Sequence, residues 1–440
     1  MKLPAYLSYK PSGVGWMGAI PEGWSVAALK HLTKRITDGA HISPETEDGV
    51  YPFVSTRDVV GESIDFENCL RTSEPSYEYM VRTGCRPTVG DVLFSKDGTI
   101  GRTVVVKDDR DFVVASSLII IRPDSERLDP SFLNRLCQSK VIASQVGSLV
   151  QGAGLPRLSI QNLLRVVGCF PPLFEQRRIA AFLDGETGRI DILVAKKRTL
   201  VERLKEKRTA LISRTVTRGL PPDAARAAGL DPHPNLKPSG IDWLGDVPAH
   251  WSVVPLKWRA NCSSGDGIQT DDVAVEPESD RTIPVIGGNG RMGYTNGTNV
   301  TAPVLIIGRV GALCGNVHRI SPPAWVTDNA LVLNADPTTF DYAYLHLLLL
   351  SRNLNGLADK TAQPLITGSQ VRAQRLPCPP LPEQHVIATF LDGETAKLDA
   401  LATQVESAID RLQEYRTALI TAAVTGKIDV RQPGAKGARA

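Results

Sequence analysis

The chain has 440 residues, 42% of them hydrophobic and 22% charged, with a net charge of +3. That length suits roughly two to four domains with real cores, and the composition is that of an ordinary soluble globular protein. The charge excess is too small to demand a nucleic-acid partner and does not exclude one. Seven scattered cysteines (Cys69, Cys85, Cys137, Cys169, Cys262, Cys314, Cys378) form no C-x-x-C pair. This argues against a zinc ribbon and a disulfide framework, and predicts a reducing, cytoplasmic setting. MKLPAYLSYK has no apolar core of a signal peptide, and the longest apolar run, near Leu347–Leu350, is far short of a membrane span.

In chain order, the first feature is a phrase that returns. Lys10–Lys30 (KPSGVGWMGAIPEGWSVAALK) recurs 227 residues later as Lys237–Lys257, with 12 of 21 positions identical. Trp16, Pro21 and Trp24 reappear as Trp243, Pro248 and Trp251, and packing is their simplest role. Residues 1–24 form a lead segment and residues 25–168 a first insert of mixed α and β character. Strand-like runs fall at Val50–Ser55, Asp91–Ser95, Arg102–Val106 and Val113–Ile121, and a helix over Pro130–Val146.

Residues 169–220 carry the second repeated phrase. Pro171–Thr187 (PPLFEQRRIAAFLDGET) returns at offset 208 as Pro379–Thr395, with 13 of 17 identical. The double proline starts a long helix. Asp184-Gly185-Glu186-Thr187 predicts a kink or break in it, since glycine weakens helices. Beyond it Ile190, Leu193, Leu200, Leu204 and Leu211 read as the a/d positions of a heptad seam.

Residues 221–250 hold a Pro-rich linker (Pro221–Pro234) and the repeated lead phrase. Residues 251–376 form a second insert, with strands at Ile283–Ile286, Val304–Ile307 and Val326–Leu333 and a helix over Thr338–Asn353, where Phe340 sits at offset 208 from Phe132. Residues 377–425 repeat the helix, with Leu398, Leu401, Val405, Ala408, Leu412, Tyr415 and Leu419 on its seam. Residues 426–440 end in a Gly-, Ala- and basic-rich tail, Gln432–Ala440, read as disordered. The expected fold is α+β: two mixed α/β domains separated by two long helices that pair as an antiparallel coiled coil, a pseudo-twofold internal repeat.

Catalytic signatures do not assemble. The sequence has no G-x-x-x-x-G-K-[ST], no G-x-G-x-x-G after a strand, no N-P-P-[FY] or D-P-P-[FY], and no H-x-x-x-H on a helix face. His41 reads better as a structural histidine than a catalytic one. The carboxylates of Asp184–Thr187 belong to the repeated frame and read as capping or interhelix groups. No catalytic or metal-ligating residue is assigned.

At this point the doubled P-P-L-x-E-Q at 171–176 and 379–384, each followed by I-A-x-F-L-D-G-E-T and a long helix, resembles the specificity (S) subunit of Type I restriction–modification systems. K-P-S-G-x-x-W-x-G-x-x-P-x-x-W before each insert fits the same pattern. Asp38-Gly39-Ala40-His41 with Tyr51–Ser55, and Ile283–Gly290 with Gly293-Tyr294, look like two variants of its target-recognition domain. The resemblance spans about residues 9–425. It implies a non-catalytic subunit whose inserts each read half of an asymmetric bipartite site in double-stranded DNA. It implies paired helices that set the spacer and dock two methyltransferase (M) subunits, which hold S-adenosylmethionine. It also implies restriction (R) subunits that use ATP and magnesium, and no cofactor in this chain and no membrane.

Groove readout calls for Arg, Lys, Asn, Gln and small polar loops, and phosphate contacts for cations and glycine N–H groups. These requirements select Ser55, Thr56, Arg57, Lys96, Thr99, Arg102, Gln151 and Arg157 in the first insert. In the second they select Gly288, Asn289, Arg291, Tyr294, Arg309, Lys360 and Gln363. Two rivals stay open on sequence alone: an enzyme with an unfamiliar site, and a scaffold with two protein-binding domains. A methylation-only or degenerate system is equally compatible with this subunit.

Overall fold

The computed structural model describes residues 3–46, 49–150, 156–311, 313–359 and 364–431. The chain divides into two compact units, residues 1–198 with 407–440, and residues 199–406.

In the first unit the insert is closed at its neck by a two-stranded ladder. Strand β1 (Ser25–Ala28) pairs antiparallel with a strand that begins some 140 residues later, at Val167, with Ser25 opposite Phe170. Between these ends lie β2 (Thr33–Asp38), β3 (Tyr51–Val54), β4 (Leu70–Thr72), β5 (Val92–Ser95), β6 (Thr103–Val105), β7 (Val113–Val114) and β8 (Leu118–Pro123). A four-stranded antiparallel sheet has the order β6-β5-β8-β2, and a three-stranded sheet the order β7-β3-β4. The run expected as one strand over Val113–Ile121 is two. A turn, in which Leu118 N–H donates to Ala115 O at 3.0 Å, moves the chain from one sheet to the other.

The helix expected over Pro130–Val146 is also two. Helix α1 (Pro130–Cys137) starts with Pro130 at its first position and Asp129 as cap, its carboxylate accepting from Phe132 N at 3.0 Å. Ser139 then caps α2 (Lys140–Leu149), whose Ile142 N–H donates to the Ser139 hydroxyl. A cap residue has non-helical backbone, so the chain turns there. The neck strand β9 (Val167–Phe170) leads into α3 (Leu173–Arg218), 46 residues long. Asp184–Thr187 does not interrupt it. Gly185 faces open space, Thr187 Oγ1 donates to Leu183 O at 2.7 Å, and Ile179, Leu183 and Thr187 keep one face buried. The helix cost of one glycine, about 1 kcal/mol, is outweighed by that packing.

The second unit repeats the plan with different residues. Its neck pairs β10 (Ser252–Pro255) with a strand starting at Arg375, Ser252 opposite Cys378. The strands β11 (Ala260–Ser264), β12 (Ile283–Gly287), β13 (Gly290–Thr295), β14 (Val304–Gly308), β15 (Val317–Ile320), β16 (Trp325–Val326) and β17 (Ala330–Ala335) make a four-stranded sheet β11-β17-β14-β15 and a three-stranded sheet β13-β12-β16. As in the first insert, β12 pairs parallel with β16 and the run expected over Val326–Leu333 is broken by a turn. Helix α4 (Tyr342–Arg352) is capped by Asp341, so Phe340 precedes it. The cap aspartates Asp129 and Asp341 are the matching positions, and Phe132 and Phe340 are not. The neck strand β18 (Arg375–Cys378) leads into α5 (Leu381–Val424). Trp251, Tyr344 and Leu348 centre this unit's core.

The repeated phrases meet at each neck. Trp24 Nε1 donates to Glu175 Oε1 at 3.3 Å and Tyr6 OH to the same oxygen at 2.7 Å; Trp251 Nε1 donates to Glu383 Oε1 at 3.0 Å. The next residue is a clamp. Gln176 Oε1 accepts from Asp129 N at 2.9 Å, and Gln384 Oε1 from Asp341 N at 2.8 Å. Their amide groups donate to Pro171 O and Pro379 O respectively. P-P-L-x-E-Q therefore holds the lead tryptophan with its glutamate and the insert's helix cap with its glutamine.

Segments of α3 and α5 run antiparallel within each unit. Arg416 Nε meets Asp191 Oδ1 at 2.9 Å in the first, and Arg208 Nε meets Asp399 Oδ1 at 2.9 Å in the second. Offset 208 turns one pair into the other, as a twofold repeat requires. The seam differs from the expected one. Leu193, Leu200, Leu401 and Tyr415 are 42–49% exposed, whereas Val194, Val201 and Ile409 are buried with Ile190, Leu204, Val405 and Leu419. Ala408 is half-buried, as are Leu211, Leu398 and Leu412. At about 100° per residue, Leu193 and Leu200 point roughly 60–80° away from Ile190, and Val194 and Val201 within about 40° of it. Among the described residues no helix is long and apolar enough to cross a membrane.

Candidate nucleic-acid interface

Three separate stretches of the first insert converge at one end of its sheets. After β3, Ser55 opens a tight turn in which its N–H and hydroxyl both donate to Asp58 Oδ2, at 2.7 and 2.8 Å. Thr56 is fixed to Ser117, N–H to Oγ and Oγ1 to O, each at 3.1 Å. After β5 the chain loops over residues 96–102. Ser95 Oγ, which donates to Thr99 O at 2.6 Å and accepts from Arg102 N at 2.8 Å, ties this loop shut. Gly98 and Gly101, at φ 67° and 92°, make its reversals. Ser55, Thr56, Arg57, Thr99, Arg102 and Ser117 line a hollow of about 560 Å³. Arg57 is exposed beside it.

Lys96 and Arg157 stand differently. Lys96 is buried beneath the loop, its ammonium ion-paired with Asp38, which also accepts from His41 Nε2 at 2.8 Å. Its charge is already neutralised, so Lys96 braces the loop. Asp38 and His41 thus form part of the same support, and Gly39 is required beside them because a Cβ there would fall 2.1 Å from Ala115 O. Arg157 is exposed and forks onto Asp97, Nε to Oδ1 at 2.8 Å and Nη2 to Oδ2 at 3.2 Å. Gln151 lies outside the described residues.

The second insert builds the same corner. Residues 288 and 289 are the turn of the β12–β13 hairpin, with Gly290 at φ 110°. Gly288 packs on the backbone: a Cβ would lie 2.8 Å from Asn329 O. Arg309 follows β14 as Lys96 follows β5, and its Nη1 donates to Ser264 Oγ at 3.1 Å and Asp328 O at 3.2 Å. Arg291 and Tyr294 stand on β13, the guanidinium 5.2 Å from the ring centroid. Lys360 and Gln363 lie outside the described residues.

Three backbone bonds set the correspondence. Ala115 N–H to Val54 O matches Thr327 N–H to Ile286 O, at 2.8 and 2.9 Å. Lys96 to Ser117 matches Arg309 to Asn329, at 2.9 and 3.0 Å. Leu158 to Lys96 matches Ile366 to Arg309, at 3.0 and 2.9 Å. Thus Thr56-Arg57 occupies the place of Gly288-Asn289, and Ser117 that of Asn329. Ser117 and Asn329 escape sequence reading because they sit in short connections with no motif. Ser55 and Thr56 spend their N–H and hydroxyl donors within the first corner, and the corners present the guanidinium groups of Arg57 and Arg102 in one insert and the amide of Asn289 in the other, groups that base edges and phosphates accept. Among the described residues no three His, Cys, Asp or Glu side chains are grouped to hold a metal ion.

Each corner is set on the stem through an arginine and the aspartate of D-G-E-T. In the first unit Arg135, almost wholly buried, binds Asp184 Oδ1 at 2.6 Å and both oxygens of Glu62, and Glu62 also receives Arg416 at 2.7 Å. Burial pushes the Glu62 carboxyl up, but its bonds to Arg135 and Arg416 outweigh that and hold it below the usual range. In the second unit Arg319 reaches Asp392 at 3.3 Å.

A model of the family described as Type I restriction modification DNA specificity domain matches residues 21–203 and again 251–411. The Type I restriction enzyme EcoprrI specificity subunit of Escherichia coli is 34% identical over 151 residues, 34% of this chain and 35% of that one. The putative type I restriction enzyme MjaX specificity subunit of Methanocaldococcus jannaschii is 22% identical over 435 residues, 94% of this chain and 96% of that one. A chain solved in work on complex assembly and conformational transition of the type I R-M system aligns with a TM-score of 0.69 at 17% identity, covering 92% of this chain and 98% of that one. That likeness establishes a shared fold.

Proposed function

The chain belongs to the Type I restriction modification DNA specificity family, as a non-catalytic specificity subunit with two DNA-recognition domains, and from this we propose that each insert reads one half of an asymmetric bipartite site. One observation carries the reading: the two inserts share backbone bonds at the corner but not the side chains displayed there. A common scaffold with Thr56-Arg57 and Ser117 on one copy, and Gly288-Asn289 and Asn329 on the other, suits two different half-sites. Arg57 and Arg102 suit guanine or phosphate, Asn289 suits adenine, and Arg291 and Tyr294 suit the backbone. The further candidates Ser55, Thr99, Arg157, Gln151, Lys360 and Gln363 complete the proposed interfaces; Lys96 and Arg309 brace them.

The repeated frame supports a second part of the proposal. Two copies of P-P-L-x-E-Q and I-A-x-F-L-D-G-E-T suit two copies of one methyltransferase partner, which brings S-adenosylmethionine. Restriction subunits join that assembly with ATP and magnesium. The paired helices set the spacer: one added turn in each lengthens them by about 5.4 Å against about 3.4 Å per base pair.

Methylome sequencing tests this. A host with this chain and its neighbouring methyltransferase gains an asymmetric bipartite adenine-methylation motif that the methyltransferase alone does not give. No chain-dependent methylation, with complex formation and partner activity confirmed, would reject the reading.

A further inference from the structure

The two stem helices are copies that differ in charge. Residues 199–218 and 407–426 are identical at 10 of 20 positions, among them Leu204/Leu412, Arg208/Arg416, Leu211/Leu419 and Ile212/Ile420. The first copy carries six cations and two carboxylates, the second two of each. Four of the six cations, Arg203, Lys207, Arg214 and Arg218, follow one another at spacings of four, seven and four. At about 100° per residue they occupy one stripe roughly 60° wide and about 22 Å long. All four are exposed, and none has an ion-pair partner among the described residues. The corresponding positions of the other helix are Arg411, Tyr415, Ala422 and Gly426.

Neither folding nor a repeated partner accounts for the difference. A cation is favoured in the last turn of a helix, which accounts for Arg218 on α3 but not for Lys207 and Arg214, about one to three turns earlier; α5 closes with no cation in its last turn. A partner that docks twice through the repeated frame meets the same residues twice, so residues present in only one copy serve something present once. Arg214 and Arg218 also border a hollow of about 680 Å³ whose wall adds Ser213 and His233, while the Thr217 hydroxyl there is spent on Ser213 O at 2.7 Å. Guanidinium, hydroxyl and imidazole donors around one hollow are the set that receives a phosphate.

Resting on the DNA-recognition reading, we infer that this stripe of α3, and not its counterpart on α5, binds the phosphate backbone of the bound duplex. DNA carries about one negative charge per 1.7 Å, so a cationic row of this length is complementary to a run of phosphates. The stem then adds an asymmetric, sequence-independent contact to those made by the two reading corners.

The test uses the complex of this chain with its methyltransferase and a duplex carrying its methylation motif, titrated across a salt series. The triple variant Lys207→Gln, Arg214→Gln, Arg218→Gln keeps good helix formers on an exposed face. Each lost phosphate contact lowers the slope of log K against log salt by about 0.9, so the expected fall is about 2–3, with the methylated sequence unchanged. Lys205→Gln removes a cation paired with Glu202 at 3.0 Å on another face, and leaves the slope unchanged. An unaltered slope in the triple variant overturns the inference. So does an equal loss per charge from Lys205→Gln, which would mean diffuse charge. So does failure of the triple variant to assemble with the methyltransferase, which would assign the stripe to an acidic protein surface. A wild-type complex that does not prefer its motif over unrelated duplex would sink the recognition reading itself, independently of the stripe.

Discussion

Arg135→Met and Arg319→Met remove equivalent functions, an insert arginine on the D-G-E-T aspartate, in surroundings that predict different costs. The Arg135 side chain is 2% exposed and makes bonds to Asp184 Oδ1 at 2.6 and 3.0 Å, to Gln138 Oε1 at 3.0 Å and to both oxygens of Glu62. Breaking a wholly buried pair costs about 3–5 kcal/mol because the remaining charge is stranded. Here Glu62 keeps Arg416, and Asp184 is 53% exposed and can hydrate. The expected cost is therefore lower, about 2–3 kcal/mol. Arg319 is 45% exposed and its bonds to Asp392 are 3.3 and 3.4 Å; an exposed pair of that kind contributes about 0–1 kcal/mol.

Amide hydrogen exchange resolves the two units in one experiment. At 1.36 kcal/mol per tenfold, Arg135→Met lowers protection of the slowest amides in residues 118–137 by about 30- to 150-fold. Arg319→Met changes those of residues 304–335 by less than about fivefold. Equal effects in the two units, or a larger one for Arg319→Met, would refute the reasoning from burial. The pH dependence carries the same sign. Because the folded Glu62 carboxyl sits below its ordinary value, its contribution is full above an unfolded pKa of about 4.3 and disappears as pH falls through the depressed value. Arg135→Met shrinks that acid-side loss.

Three further outcomes are expected. Val201→Asp, on the buried seam, costs about 2–4 kcal/mol in urea unfolding, whereas Leu200→Asp, on the exposed neighbour, stays within about 1. Gly39→Ala and Gly265→Ala drive a Cβ to 2.1 Å from Ala115 O and 2.4 Å from Val326 O respectively; both destabilise their insert by about 2–3 kcal/mol in the same assay. His346 is held at about 4 by burial, ahead of the nearby Arg319 charge. Its unfolded imidazole takes a proton near pH 6.5, so the second unit loses stability as pH falls from about 6.5 to 4. His346→Gln flattens that part of the stability profile measured by denaturation at a series of pH values.

The frame was legible because it is written twice. Trp24 and Trp251, Glu175 and Glu383, Gln176 and Gln384 stand out as repeated residues; each tryptophan meets the glutamate of its own unit, and each glutamine meets its insert's helix cap. The common topology of the inserts was not legible, because it is carried by backbone bonds such as Lys96 to Ser117 and Arg309 to Asn329, which leave no shared side chain. The seam was misplaced by one residue within Ile192-Leu193-Val194, where three apolar neighbours satisfy either register and only the partner helix decides. Lys96 was chosen as a surface cation because sequence cannot show that Asp38, 58 residues away, lies beneath it. The break at Ser139 was present as a capping residue, but the apolar period on both sides masked it.

The attachment of the inserts explains how such divergence is tolerated. Gln176 and Gln384 bind the backbone N–H of a helix cap, and the neck ladders bind backbone to backbone. Neither interaction depends on the side chains of the proposed reading corner. The corner's own scaffold is likewise backbone: the bonds of Ala115, Lys96 and Leu158 recur with Thr327, Arg309 and Ile366. Residues 57, 99 and 102 in one copy, and 289 and 291 in the other, are therefore free to change without loosening the neck or the sheets. The aspartates of D-G-E-T work at the next level. Each accepts an arginine that differs in origin, from α1 in one unit and from β15 in the other. An insert need only present one guanidinium at that point to be oriented on its stem. Separation of what holds from what reads is a physical condition for the proposed reading of two different half-sites, and it resides here in backbone bonds and two repeated side chains, glutamine and aspartate.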